Sequence, residues 1–255
     1  MKTNNTELDS QMFKAAGCGD AGRIKELLEA GADVNVRDHY RNTPLHKAVS
    51  SARSVECCAL LIEAGADIEA ENMMKFTPVI DAVAFGTEEC LNLLIKAGAR
   101  INSRSGGDGS YPIHKAASHL SGRFTSILLA AGADPNARDR DRNRPLHVAA
   151  VSECRGSLGN IRLLLAAGAD INAVNIINMA PLHWAAQRGY MTVVKKFIKA
   201  GADLEIEDNM GRTAMNILKE KHPDKYSAWT MQKEKKRLKN EDKAKAADTG
   251  YEFDI

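Results

Sequence analysis

Residues 180–190 read APLHWAAQRGY, and the first four of them belong to a phrase that recurs along the chain. The related phrases are TPLH at 43–46, TPVI at 77–80, YPIH at 111–114, RPLH at 144–147, APLH at 180–183 and TAMN at 213–216. Trp184 follows the phrase in its copy, whereas the preceding copies carry Lys47, Asp81, Lys115 and Val148 there. The recurrence predicts a repeated structural unit, and Trp184 sets one unit apart.

A second phrase keeps step with the first. It reads AGAD at 30–33, 64–67, 131–134, 167–170 and 200–203, and AGAR at 97–100, with spacings of 34, 33, 34, 36 and 33 residues. Two phrases in register at a period near 33, one of them TPLHxAA, are typical of ankyrin repeats. The chain therefore resembles the ankyrin repeat family over about residues 10–230.

The chemistry of the two phrases predicts what each unit forms. Threonine before proline can cap a helix start, and proline at the first helical position loses no hydrogen bond. An apolar stripe at i, i+3 and i+4 follows, as in Ile24, Leu27 and Leu28, and predicts a second, amphipathic helix. The glycine of AGAD then supplies a left-handed helix end. One unit cannot bury its own stripe, so the units must stack.

We therefore predict an all-α ankyrin-repeat solenoid of helix-turn-helix units joined by β-hairpin-like loops. The repeats are expected near 9–36, 39–70, 73–103, 107–137, 140–173, 176–206 and 209–230, with the first and last as atypical caps. Residues 1–8 are expected to be a flexible N-terminus, and 231–255 a charged helix and tail. The extra residues in VSECRGSLGN, 151–160, are expected to lengthen the turn between two helices.

Composition excludes several classes of protein. The net charge is only +2 with 44% hydrophobic residues, so no global field favours nucleic acid or a membrane surface. The N-terminal MKTNNTELDSQ has no apolar signal region. Five cysteines without a CxxC pair fit a reducing compartment. A cytoplasmic location is expected, with the nucleus or non-classical secretion as alternatives.

The chain shows no catalytic or metal-binding motif. HExxH, GxSxG and GxxxxGK[ST] do not occur in it. Four of the seven histidines, His46, His114, His147 and His183, share one repeat position. The resemblance implies that this histidine hydrogen-bonds the backbone of a neighbouring loop. We predict a protein that is not an enzyme and has no cofactor, metal or small-molecule substrate.

The resemblance implies that a partner docks on the concave face formed by the loop tips and first helices. At the tips the family prefers Asp-Gly, but Arg41, Lys75 and Arg142 stand at the glycine position, and Asn178 is a tolerant substitute. The first three indicate either a relaxed turn or a basic ridge for an acidic partner. Both interpretations stay open at this stage.

Large apolar residues also occur at the tips, where polar residues are expected. They are Tyr40, Met73, Met74, Phe76, Ile176, Ile177 and Met179. They form an interaction site or pack tip against tip. Trp184 is expected on the concave face, or alternatively against the next repeat, and Phe85, Gln187 and Arg188 are expected to flank the same groove.

The leading hypothesis is a protein-binding module that acts as a scaffold, adaptor or inhibitor on a partner with an acidic contact face. One alternative is a bacterial or viral effector that targets another protein. Another is association with nucleic acid through the basic segment 233–245, although acidic residues are interspersed there. The oligomeric state stays open, as does a role of the tail DTGYEFDI as a recognition motif.

Overall fold

The computed structural model describes residues 3–51, 55–119, 121–152 and 155–248, and in these ranges it consists of fourteen helices and two isolated β-bridges. The helices are α1 Thr3–Cys18, α2 Ala21–Glu29, α3 Pro44–Val49, α4 Val55–Glu63, α5 Pro78–Phe85, α6 Glu88–Lys96, α7 Pro112–Ser118, α8 Arg123–Ala130, α9 Pro145–Val151, α10 Arg155–Ala166, α11 Pro181–Arg188, α12 Met191–Lys199, α13 Ala214–Lys221 and α14 Pro223–Asp248. The expected all-α solenoid is confirmed.

The odd-numbered helices form one row and the even-numbered helices another. Each helix from α1 to α11 in the first row packs against the next odd-numbered helix, and α2, α4, α6, α8 and α10 pack in sequence in the second row. The leucine or isoleucine of the repeated phrase is buried between repeats, as in Leu45, Ile113 and Leu146. A single apolar core therefore runs the length of the stack, because each stripe is covered by its neighbour.

The histidine of the repeated phrase fastens each repeat to the next. In the second repeat the backbone N–H of Thr43 donates to His46 Nδ1 at 3.1 Å, so the ring proton is on Nε2 and points to the carbonyl oxygen of Phe76 at 3.1 Å. The same pair of contacts joins His114 to Tyr111 and Asn143, His147 to Arg144 and Met179, and His183 to Ala180 and Arg212. The predicted structural role is confirmed.

The third repeat has Ile80 in place of this histidine and uses a serine instead. The backbone N–H of Thr77 donates to the Ser105 hydroxyl at 3.3 Å, and that hydroxyl donates to the Lys75 carbonyl at 2.6 Å. Ser105 is buried and lies in the loop that leads to the following repeat. The bond between repeats is therefore kept, with its side chain supplied from the other partner.

Two expected boundaries differ from the structure. Helix α1 begins at Thr3, inside the segment 1–8 that was expected to be flexible. Helix α14 runs unbroken from Pro223 to Asp248, so the expected division at 230 falls within one helix. Residues 249–255, which hold most of the tail DTGYEFDI, lie outside the described residues.

The extra residues at 151–160 extend a helix, so the expectation of a longer turn was wrong. Helix α10 has 12 residues, whereas α4, α6 and α12 have 9 each. The buried Asn160 donates to the carbonyls of Ala117 at 3.2 Å and His119 at 2.9 Å, and accepts from the Thr125 hydroxyl at 2.8 Å. This amide pins the longer helix to the preceding repeat.

The first part of α14 covers the last repeats. Tyr226 packs on the core, and its ring centroid is 6.0 Å from that of Trp229. Lys225 Nζ donates to the carbonyl of Gly189 at 2.9 Å, and Lys195 Nζ donates to Gln232 Oε1 at the same distance. These contacts agree with the predicted capping role. Within the described ranges, none of the helices has the length and apolar character that a bilayer span requires.

The four bridging histidines make stability depend on pH. Burial lowers the pKa of each, and that of His147 falls to about 4. Between pH 6.5 and 4 the unfolded chain then binds more protons than the folded chain, so stability is lost as the pH falls through this window. His147 alone accounts for roughly 3 kcal/mol. Burial raises the pKa of Asp81 to about 7, which acts in the opposite sense by roughly 4 kcal/mol, so the net fall depends on the other three histidines as well.

We expect thermal melts to show a progressive fall in melting temperature from pH 6.5 to 4.5. The variant His147→Gln, which carries no titrating ring, is less stable at pH 7 but shows a shallower fall. A wild-type melting temperature that stays flat or rises on acidification contradicts this account of the histidines.

Candidate functional site

Four of the loops between repeats are each closed by one side chain that accepts two backbone N–H groups. In the second repeat the Asp38 carboxylate accepts the backbone N–H groups of Tyr40 at 2.9 Å and Asn42 at 2.8 Å. Asn72, Asn175 and Asp208 bind the corresponding pairs of amides in their own loops. Because the same side-chain position closes these turns, the residues that follow it are displayed in nearly the same way. We call these residues the tips: 39–41, 73–75, 106–109, 140–142, 176–178 and 209–211.

The last residue of each tip has a left-handed backbone. Arg41 has a φ of 60°, and Lys75, Arg142 and Asn178 each have a φ of 58°. Gly109 and Gly211 occupy the equivalent place with φ of 68° and 70°. The relaxed turn, one of the two interpretations of the basic residues, is therefore wrong. Each basic residue keeps a conformation that costs about 1–2 kcal/mol for a residue with a Cβ.

The tips are joined to one another by backbone hydrogen bonds. The N–H of Met73 donates to the carbonyl of Tyr40 at 2.9 Å, and the N–H of Gly106 donates to the carbonyl of Lys75 at 2.7 Å. The series continues from Arg140 to Asp108, from Ile176 to Asp141 and from Asn209 to Ile177. We call these five bonds the tip ladder. It fixes the tips relative to one another, so their side chains form one ordered surface.

Two groups of apolar side chains stand exposed on this surface. The first tip cluster is Tyr40, Met73 and Met74, which are 57%, 63% and 63% exposed. The second tip cluster is Ile176, Ile177 and Met210, which are 50%, 47% and 74% exposed. Met210 was not among the apolar residues expected at the tips. The signal was present, because Met210 lies two residues after the turn-closing Asp208, just as Met74 follows Asn72 and Ile177 follows Asn175.

Two residues expected at the surface have other positions. Met179 is only 6% exposed, and its carbonyl accepts the hydrogen bond from His147, so its placement in the candidate site was wrong. Phe76 is half-buried and lies 5.6 Å from Lys115 Nζ, with its ring beside Gly106. Phe76 therefore packs against the next loop, which agrees with the tip-against-tip alternative for this residue.

Trp184 has a dual position. The side chain is half-buried, and its ring meets that of His147 edge-on at a centroid distance of 5.9 Å, so it contacts the preceding repeat. It also lines a groove of about 380 Å³ together with Val151, Gln187, Arg188 and Lys221. Gln187 and Arg188 flank this groove as expected.

Phe85 is absent from that lining. It ends α5, three repeats before Trp184, and is 65% exposed. The expectation that Phe85 flanks the Trp184 groove was therefore wrong, because the stack separates the two side chains.

The charges beside the tips are mostly matched within their own repeats. Lys47 Nζ lies 3.1 Å from Asp38 Oδ2, and Lys115 Nζ lies 3.3 Å from Asp108 Oδ2. In contrast, the side chains of Arg41, Lys75, Arg142 and Arg188 make no ion pair or hydrogen bond with the described part of the chain. Basic side chains without an internal partner are thus present at the tips and at the Trp184 groove, although other cations of the chain, such as Lys96 and Lys199, also have none within the described residues.

The described residues contain neither a metal-binding cluster nor a bridging histidine with a free ring nitrogen. No cluster of three histidine, cysteine, aspartate or glutamate side chains is placed to hold a metal within these ranges. Each of the four bridging histidines uses both ring nitrogens on backbone groups. What the geometry offers is an ordered, partly apolar surface.

Stacked helical pairs with displayed loops define the class of repeat-built binding scaffolds. Within this class, a family model for ankyrin repeats in three copies matches residues 12–105, 79–175 and 161–224, so the chain belongs to the ankyrin repeat family. Ankyrin repeats are protein–protein interaction modules.

Solved structures of ankyrin domains resemble the fold closely. The human ASB11 ankyrin repeat domain superposes with a TM-score of 0.72 at 26% identity, covering 81% of this chain and 90% of that one. The ankyrin repeat domain of Bcl-3 gives 0.71 at 27% identity, covering 81% of this chain and 92% of that one.

The curated relatives are much longer proteins. An ankyrin repeat domain-containing protein, SAT10, from Stachybotrys chartarum is 30% identical over 52% of this chain and 7% of its own length. The E3 ubiquitin-protein ligase KEG of Arabidopsis thaliana is 31% identical over 56% of this chain and 8% of its own. The nuclear factor NF-kappa-B p105 subunit of Gallus gallus is 31% identical over 50% of this chain and 13% of its own.

The left-handed tip residues give a prediction about stability. Arg142→Gly removes the Cβ strain at a φ of 58°, and this gain exceeds the loss from the freer unfolded chain. We expect urea denaturation to show an increase in unfolding free energy of about 0.5–1 kcal/mol. Arg138→Gly, in the same loop but outside the left-handed region, serves as control and should lower it. Equal losses in both variants would refute the strain at Arg142.

Proposed function

We propose that this chain is a non-enzymatic binding module that holds an acidic segment of another protein on its tips and concave face. The observation that carries the proposal is the pair of exposed tip clusters, held in place by the tip ladder. Exposed apolar groups of this kind are typical of interaction sites. A surface that is ordered before binding loses little conformational entropy when a partner docks.

The charge of the proposed partner follows from the four basic side chains without internal partners. Arg41 and Lys75 border the first tip cluster, and Arg142 lies in the tip next to the second. Because no described carboxylate neutralises them, they would attract acidic residues and speed encounter with the partner. The strained backbone at all three positions is consistent with a basic ridge retained for binding at a cost in stability.

The Trp184 groove would take a side chain of the same partner. Tryptophan is enriched among residues that dominate binding energy, and a half-buried ring already held by His147 loses little freedom on contact. Arg188 at the groove edge adds a further cation. The same surface would serve a scaffold, an adaptor, an inhibitor or an effector that targets a host protein. A cytoplasmic location is part of this proposal.

The alternative of nucleic-acid binding through 233–245 has less support. Lys233 Nζ lies 5.5 Å from the centre of the Trp229 ring, and Arg237 pairs with Glu234 at 2.7 Å. Cations that are matched within their own helix contribute less to phosphate binding.

The proposal is tested by affinity capture from the cells of origin with four forms of the chain. Met74→Asp and Ile177→Asp each place a charge in one tip cluster, whereas Met231→Asp makes the same change at an exposed methionine of α14. We expect a partner captured by the wild type to be retained by Met231→Asp and reduced at least tenfold with either tip variant. Melting temperatures should be similar for all four forms, because the substituted side chains are exposed.

The charge of the partner is tested on the same captured protein. Replacing Arg41, Lys75 and Arg142 together by glutamine should slow association and flatten its dependence on salt. If both tip variants capture the partner as well as the wild type does, the tips are not the binding surface. If only the salt dependence of association is unchanged in the triple glutamine variant, the tips still bind but the partner is not acidic.

A further inference from the structure

Two cysteine sulfurs from different repeats are in contact inside the stack. Cys58 lies on α4 and Cys90 on α6, and their Sγ atoms are 3.3 Å apart. Both residues are fully buried. A disulfide has an S–S distance of about 2.05 Å, so the sulfurs need to approach by only roughly 1.2 Å. Helices α4 and α6 pack side by side, which allows small adjustments on both sides.

We propose that Cys58 and Cys90 form an oxidation site, at which a hydroperoxide converts the two thiols into a disulfide that links the second and third repeats. Free cysteines in a core are usually inert hydrophobic side chains. This pair differs because the two sulfurs are already in contact at 3.3 Å. Neither the fold nor the proposed binding function requires the modification.

The first turn of α6 favours Cys90 as the sulfur that reacts first. Cys90 is the third residue of the helix, and its backbone N–H donates to the Thr87 hydroxyl at 3.3 Å. A thiolate is stabilised near a helix N-terminus. The contact between the two sulfurs lowers the pKa of Cys90, although burial and Glu89 oppose this shift. The same contact raises the pKa of Cys58, which stays a thiol.

The reaction is balanced with a hydroperoxide as oxidant. The Cys90 thiolate attacks one peroxide oxygen, the O–O bond breaks, and Cys90 becomes a sulfenic acid while the other oxygen leaves as hydroxide. The Cys58 sulfur then attacks the Cys90 sulfur and displaces the second hydroxide, which takes up the Cys58 proton and leaves as water. The first hydroxide takes up the proton that Cys90 lost when it became a thiolate. Overall two thiols and one hydrogen peroxide give one disulfide and two waters. Because both sulfurs are buried, the oxidant must enter during a local opening of α4 or α6.

The neighbouring Cys57 provides a matched control. It lies on the same helix and is also fully buried, but burial raises the pKa of its thiol to about 11. The Cys58–Cys90 contact is the thiol pair that the structure brings together within the described residues. Cys18 is exposed and would form links between molecules, so it is best removed for the test.

The test uses the full chain carrying Cys18→Ser, treated with hydrogen peroxide while folded and digested with trypsin without reduction. Cleavage places Cys57 and Cys58 in peptide 54–75, Cys90 in 76–96 and Cys154 in 143–155. We expect peptide 54–75 linked to 76–96 as the main product, retained in Cys57→Ala and lost in Cys58→Ala and Cys90→Ala. The oxidised protein should melt on the order of 5–10 °C higher than the reduced protein.

Two results would overturn the proposal. One is a folded protein in which Cys58 and Cys90 stay reduced, while the same treatment in urea links them. The other is a link that survives in Cys58→Ala, which would assign the chemistry to Cys57. Partner capture with the oxidised chain is measured separately, so that failure of the disulfide and failure of the proposed binding surface remain distinct.

Discussion

The structure depends on burial of each repeat's apolar stripe against the next repeat. A single helix pair leaves that stripe in water, so its stability comes from its neighbours. The histidine bridge adds a directional bond to this burial, since its Nε2 proton reaches the backbone of the following loop at about the same place in four repeats. Ser105 supplies an equivalent bond where Ile80 has replaced the histidine. Stacking thus sets both the stability and the register of the loops.

The regular spacing of the loops makes the tips one continuous surface. Because each loop is anchored to the one before, the tips are evenly placed and joined by the tip ladder. Apolar side chains at the tips cannot enter the core, which is already filled by side chains of both rows of helices. The strained Arg41, Lys75 and Arg142 are held in the left-handed conformation by the same turns. The exposed clusters and unpaired cations are therefore consequences of the fold that a partner can use.

The sequence predicts those features that depend on local chemistry repeated in register. The helix pairs, the bridging histidines and the cap at α14 follow from such signals. The sequence does not predict which way a side chain points at the tips. Met179 and Ile177 lie two residues apart, yet the turn geometry buries Met179 and exposes Ile177. The extension of α10 to 12 residues is likewise not predicted, and neither are the hydrogen bonds of the Asn160 amide to the preceding repeat. The exposure of Met210 could have been predicted from its repeat position, which it shares with Met74 and Ile177.

Hydrogen exchange of the tip ladder amides tests the central claim most directly, which is that the stack holds the tips as one ordered surface before any partner binds. The amides of Met73, Gly106, Arg140, Ile176 and Asn209 are the donors of the ladder. The account predicts that they exchange at least tenfold more slowly than the unbonded amides at the same tips. Exchange of all five at the rate of an unstructured chain would contradict it, because the tips would then be free loops on an otherwise folded stack.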